Sequence, residues 1–167
     1  MTHRPGPQGW RDMNDVGTPS WIVRIPTPIW LIALVAIALL VDLAVKMPTV
    51  LQHKPTGIAL IALGGVLSAW GRLAFRRHGA EIIPSSETHS MLVASGPFAF
   101  TRNPMYLGIV VIAIGAALTA GTWLMWLVPV AIFALDNFVI IPFEERSMER
   151  ARGDAYRAYK ARVRRWL

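Results

Sequence analysis

Apolar residues run along this chain in long, nearly unbroken stretches, at about 28–45, 57–75 and 105–143. Each is long enough to cross a hydrocarbon layer of roughly 30 Å as a helix. The last is too long for one crossing, and Gly121-Thr122 is the place to fold it in two. The pattern therefore predicts an all-α integral membrane protein of about four transmembrane helices, at about 28–45, 57–75, 105–120 and 123–143. The third is short and is extended by its interfacial ends. Residues 1–27, rich in Pro and Gly, read as an amino-terminal arm, and residues 28–167 as one membrane domain.

After Glu145 the pattern changes. Met148, Ala151, Ala155, Tyr159, Val163 and Trp166 recur at steps of three and four, with Arg and Lys between them. Residues 144–167 thus read as amphipathic helices lying on the membrane surface over the loop between the second and third spans. Gly153-Asp154 divides the tail, with Asp154 as the second N-cap.

Composition supports this class. Of 167 residues 54% are hydrophobic and 16% charged, with a mean hydropathy of +0.43, which excludes an ordinary soluble domain. Four spans put both termini and the 76–104 loop on one side. That side carries Arg72, Arg76, Arg77, Arg102 and the whole basic tail, against Lys46 and Lys54 on the other. The positive-inside rule makes the termini cytoplasmic. The net charge of +7 then reads as topology and attraction to anionic lipid headgroups, not as nucleic-acid binding. There is no cysteine, and the four histidines lack metal-ligand spacing, so a metal site is not expected. The polar residues ahead of the first apolar run argue against a cleaved signal peptide.

Candidate chemistry gathers where polar residues meet the spans. Asn103 before Pro104 reads as a side-chain N-cap. Free N–H groups at that helix start, with Arg102 beside them, would seat an anion. Glu144 and Glu145 sit at the end of the fourth span, where two carboxylates need cations or water. Adjacent helical positions diverge by about 100°, so one faces a pocket and the other the tail or solvent. The patch Met91-Leu92-Val93-Ala94 reads either as an apolar wall of a ligand pocket or as a seal of the loop against the bundle. Asp136 and Asn137 read either as part of a ligand pocket or as an interhelical hydrogen bond.

Gly96, Phe98, Arg102, Asn103, Pro104, Tyr106 and Gly108, followed by a hairpin, Glu144-Glu145, and then Gly153, Tyr156 and Tyr159, form an ordered set over about residues 76–167. This set resembles the isoprenylcysteine carboxyl methyltransferase and phospholipid methyltransferase superfamily of integral membrane enzymes. The resemblance implies S-adenosylmethionine as cofactor, bound from the cytoplasm, and a lipophilic acceptor entering from the bilayer. It implies catalytic roles for Arg102, Asn103, Glu144 and Glu145. A cofactor wall would add His78, Gly79, Leu92, Val93, Gly96, Phe98, Pro104 and Tyr106 to those four. Residues 137–143 contain no cation, which argues against a carboxylate acceptor unless Arg146 or Arg150 serves instead. The alternatives are a nicotinamide-dependent lipid reductase of steroid-reductase type and a non-enzymatic membrane scaffold.

Overall fold

A computed structural model describes residues 20–77 and 93–167. Among these residues every regular element is helical. A short α1 (Ser20–Arg24) leads into α2 (Thr27–Val45), and α3 (Lys54–Arg77) follows a short loop. A single 3₁₀ turn, Gly96–Ala99, precedes α4 (Pro104–Ala120). After Gly121-Thr122, α5 (Trp123–Leu135) runs through a π-bulge at Asp136–Ile140 into α6 (Ile141–Arg152), and α7 (Asp154–Arg162) follows Gly153. Among the described residues three helices are long and apolar enough to cross a membrane: Thr27–Val45, Lys54–Arg77 and the continuous Trp123–Arg152, while α4 is apolar but shorter. At about 1.5 Å per residue its 17 residues reach about 25 Å.

The fourth predicted span was expected to end at 143, but the helix continues to Arg152. Pro142 has no N–H to give to the preceding turn, and the chain accommodates it beside the bulge, where Ile141 N–H bonds to Asp136 O. Glu144 and Glu145 therefore lie within a helix rather than at its end.

The helices pack by two different means. Leu31 and Ala38 of α2, Ile109, Ala113 and Ala117 of α4, and Met125, Val128 and Ile132 of α5 form a conventional apolar core. The α3 helix contributes nothing to it. It joins the antiparallel α4 through glycines spaced by seven: Gly57 faces Gly115, Gly64 faces Gly108, and Gly71 faces Pro104 and Met105. A Cβ on Gly57 would stand 2.7 Å from the Gly115 carbonyl, and one on Gly115 would stand 2.6 Å from the Gly57 carbonyl. The two backbones are thus in contact, the arrangement that lipid-embedded helices use where no hydrophobic effect drives them together. The outward side of α3 is apolar and exposed, with Ile58, Leu63 and Val66 each about 60% accessible or more. Such a surface is stable only against lipid.

At the far end of the pair, Gly121 caps α4 in the left-handed conformation (φ +82°) with its N–H on Ala117 O. The loop before α3 is bonded to this turn. Val50 and Leu51 donate their N–H groups to Gly121 O, and Gln52 Nε2 donates to the carbonyls of Thr119 and Ala120. At the other end Ser68 donates to Met105 O, and Phe98 packs edge-on against Phe75 at 5.0 Å. The segment entering α4 is therefore fixed on α3.

Replacing Gly64 with Leu should push α3 and α4 apart and cost about 1–3 kcal/mol or more, read as a lower midpoint of unfolding in detergent. A Cβ on Gly65 meets no atom within 4 Å, so Gly65→Leu should leave the midpoint unchanged or raise it, since Gly is the poorer helix former by about 1 kcal/mol.

Candidate functional site

The ends of α2, α4 and α5, together with α6, α7 and the final residues, converge on two clusters of polar side chains. The first is built on Glu145. This carboxylate is 6% exposed, and a lone buried charge would be costly. Arg102 Nη2 lies 2.9 Å from Oε1. Arg165 grips both oxygens, Nε to Oε1 at 3.2 Å and Nη2 to Oε2 at 2.7 Å. Lys160 stands at 3.9 Å.

The same carboxy-terminal segment is bonded to the residues that open α4. Arg102 N–H donates to Arg164 O. Thr101 Oγ1 and Asn103 Nδ2 both donate to Arg165 O, each at 3.0 Å. Arg165 Nη1 and Trp166 Nε1 reach the Asn137 side-chain oxygen at 3.3 and 3.0 Å. Tyr159 Oη donates to Phe98 O at 2.8 Å. Burial pushes the Tyr159 hydroxyl up to about 12, and Tyr156 likewise, by burial and then the Glu145 charge. Both phenols remain neutral donors across the physiological range.

Three expectations need correction. Asn103 stands at the N-cap position but makes no side-chain cap bond; its amide points at Arg165 O instead, because a peptide carbonyl lies within reach. Asp154 is the first residue of α7, after Gly153 (φ +51°), and pairs with Arg157 at 2.6 Å. The apolar stripe in the tail does not run through: Ala151 and Ala155 are exposed, while Tyr156 and Tyr159 are buried. Gly153 turns the chain and resets the helical phase.

The second cluster lies beside the first. Tyr106 Oη donates to Glu144 Oε1 at 2.6 Å. Glu144 is crowded by protein atoms on one side yet exposed overall, so it stands at a rim and not in the core. Thr27, at the start of α2, donates to Asp136 Oδ1 at 3.0 Å. Asp136 is fully buried, and its other oxygen has no hydrogen-bond partner among the described residues. Tyr106 feels the charge of Asp136 and the hydroxyl of Thr27, which makes the four residues one group. The two glutamates therefore diverge as helical geometry requires, Glu145 toward the tail and Glu144 toward Tyr106.

Of the other expected site residues, Pro104 is buried at the start of α4, and Gly96 (φ +61°) opens the 3₁₀ turn. Val93 and Phe98 pack with Ala74. His78, Gly79 and Leu92 lie outside the described residues. Arg165, Trp166, Thr101 and Thr27 were missed. Arg164 and Arg165 were legible only as basic charge, Trp166 only as part of the apolar stripe, and Thr27 as the last residue of the arm.

A protein-family model described as phospholipid methyltransferase matches residues 53–155, more than half of the chain. The chain belongs to the phospholipid methyltransferase family. An uncharacterized protein of Haemophilus influenzae is similar to it, 40% identical over 63 residues that make up 38% of this chain and all of that relative. No solved structure gives a significant match. The family's match begins ahead of α3, and so takes in the glycine-lined pair, the α4 entrance and both glutamates.

Because Glu145 is shared by two guanidinium groups, Glu145→Ala should cost about 3–5 kcal/mol, the range for stripping one partner from a buried ion pair. Asn103→Ala, which loses one bond to a carbonyl, should cost about 1 kcal/mol. Thermal unfolding in detergent gives both. Faster proteolysis of the residues after Tyr159 in the Glu145 variant would confirm that the tail has come loose.

Proposed function

We propose that this membrane protein transfers a methyl group from S-adenosylmethionine to a lipophilic acceptor at the cytoplasmic side of the bilayer. The observation that carries the reading is Arg102. Its side chain is 8% exposed, and while Nη2 engages Glu145, Nε and Nη1 have no partner among the described residues. Buried guanidinium donors of this kind call for an anion. Glu144 nearby supplies negative charge with no paired cation among the described residues. A zwitterionic sulfonium ligand bearing a carboxylate and an ammonium group fits both halves of such a site.

In this reading Arg102 receives the carboxylate of the cofactor, and Tyr106 with Glu144 borders its cationic part. Methyl transfer is an in-line displacement that needs no covalent enzyme intermediate. The chain's contribution is orientation and exclusion of water, supplied by the clasped tail above and the lipid-embedded helices below. The acceptor reaches the site from the bilayer, and anionic headgroups meet the exposed cations of α7. With α4 crossing beside α3, the chain has four spans and both termini are cytoplasmic.

S-adenosylmethionine at 100 times its Kd should stabilise the purified protein by about 2.7 kcal/mol. Stabilisation by the reduced nicotinamide phosphate alone would favour the reductase, and by neither a scaffold. Arg102→Lys keeps a charge for Glu145 but removes the fork. It should unfold near the wild-type midpoint while cofactor affinity falls by roughly 1.5–3 kcal/mol, measured by calorimetric titration. Unchanged affinity would remove Arg102 from the site.

A further inference from the structure

Asp136 is used by neither the tail clasp nor the binding of an anion, yet it is the most completely buried charged residue among those described. Its Oδ1 accepts the Thr27 hydroxyl, and its Oδ2 has no partner among the described residues. A buried carboxylate oxygen left so is costly unless a donor reaches it. The groups facing Asp136 are Thr27 from α2, Tyr106 from α4 and Glu144 from α6. Among the described residues none of these groups is a cation, so the location repels anions and receives hydrogen-bond donors.

A second observation lies one helical turn away. Leu31 follows Thr27 by four residues, on the same face of α2. It begins an apolar cleft of about 340 Å³ between α2 and α4, lined by Leu31, Ile32, Val35, Leu39, Ile112 and Ala116 among others. From Thr27 to Leu39 the helix rises about 18 Å at 1.5 Å per residue. The cleft opens to the lipid side, so an acyl or prenyl chain lying in it would bring its polar head to Thr27 and Asp136.

Resting on the methyl-transfer reading, we infer that the acceptor is a single-chain lipophile with a hydroxyl, amine or thiol head, its chain seated in the α2–α4 cleft and its X–H donated to Asp136 Oδ2. The methyl carbon's bond to sulfur breaks with the electron pair remaining on sulfur. The lone pair of X forms the new X–C bond, and the X–H bond breaks with its proton passing to the Asp136 carboxylate. The sulfonium charge and the carboxylate charge cancel, leaving a thioether, a methylated lipid and a protonated Asp136. A carboxylate acceptor is disfavoured, having no proton to give and a charge that Asp136 and Glu144 oppose.

The test uses the full chain in phosphatidylcholine nanodiscs with dodecanol, dodecylamine, dodecanethiol and dodecanoic acid as probes. Transfer of radiolabelled methyl from S-adenosylmethionine should reach at least one X–H probe ten times faster than dodecanoic acid. With S-adenosylhomocysteine present, that same probe should raise the melting temperature while dodecanoic acid does not. Asp136→Asn turns an amide donor toward the acceptor; it should lose at least tenfold of both the rate and the stabilisation while binding S-adenosylmethionine like wild type. Val35→Trp fills the cleft without touching Asp136 and should weaken the dodecyl probes alone. Dodecanoic acid as the preferred substrate, or Asp136→Asn and Val35→Trp proteins that handle the probes like wild type, would overturn the inference. Loss of S-adenosylmethionine binding in the wild-type protein itself would instead overturn the methyl-transfer reading.

Discussion

A carboxylate removed from water needs nearly all of its hydrogen-bonding capacity filled, and Glu145 meets that demand with groups drawn from two distant parts of the chain. Arg102 comes from the entrance to α4, and Arg165 from beyond the last helix. Once these two cations share one carboxylate, the loop, the bulged helix and the tail can occupy only one relative position. The backbone bonds from Arg102, Thr101 and Asn103 to the Arg164 and Arg165 carbonyls then follow at little further cost in order. The ion pair thus serves specificity of arrangement more than raw stability, since desolvation offsets much of its Coulomb energy.

The glycine-lined pairing of α3 with α4 prepares this arrangement. Two backbones in contact leave no slack for sliding, because a shift of one residue would drive a side chain into the facing helix. The α4 entrance is consequently held at a set height relative to α3, and Ser68 on Met105 O fixes it further. By contrast α2 meets α4 and α5 through ordinary side-chain packing and keeps a lipid-open cleft beside it. Rigidity on one side of α4 and openness on the other suit the proposed methyl transfer, which needs a fixed cofactor and a mobile lipid.

The helical class was legible in the sequence because long apolar runs have few other physical solutions. The spans at 28–45 and 105–120 fall within one residue of α2 and α4. The end of the last long helix was not legible: an apolar-to-polar switch at Glu144 does not say where a helix stops, and a π-bulge leaves no compositional mark. The division of labour between Glu144 and Glu145 followed from helical geometry, but their partners did not, since Arg165 and Asn137 lie far apart in the sequence. The Asn103 cap failed for a related reason. A cap is a local rule, and a peptide carbonyl brought in by the tail competes for the same amide. The seven-residue glycine spacing was visible throughout and became meaningful only when set beside its antiparallel counterpart.

The distance along the chain between the halves of the clasp carries a consequence for biogenesis. Asn103 and Arg165 are separated by 62 positions, so at about 5–20 residues per second of synthesis roughly 3–12 s pass between their appearance. During that interval α3 and α4 can associate through their glycines, while Arg102 has only Glu145 to meet and then only late. Assembly of the two clusters into one arrangement therefore follows the pairing of α3 with α4. A translating or prematurely terminated chain could sit correctly in the bilayer and still lack the arrangement that its chemistry requires.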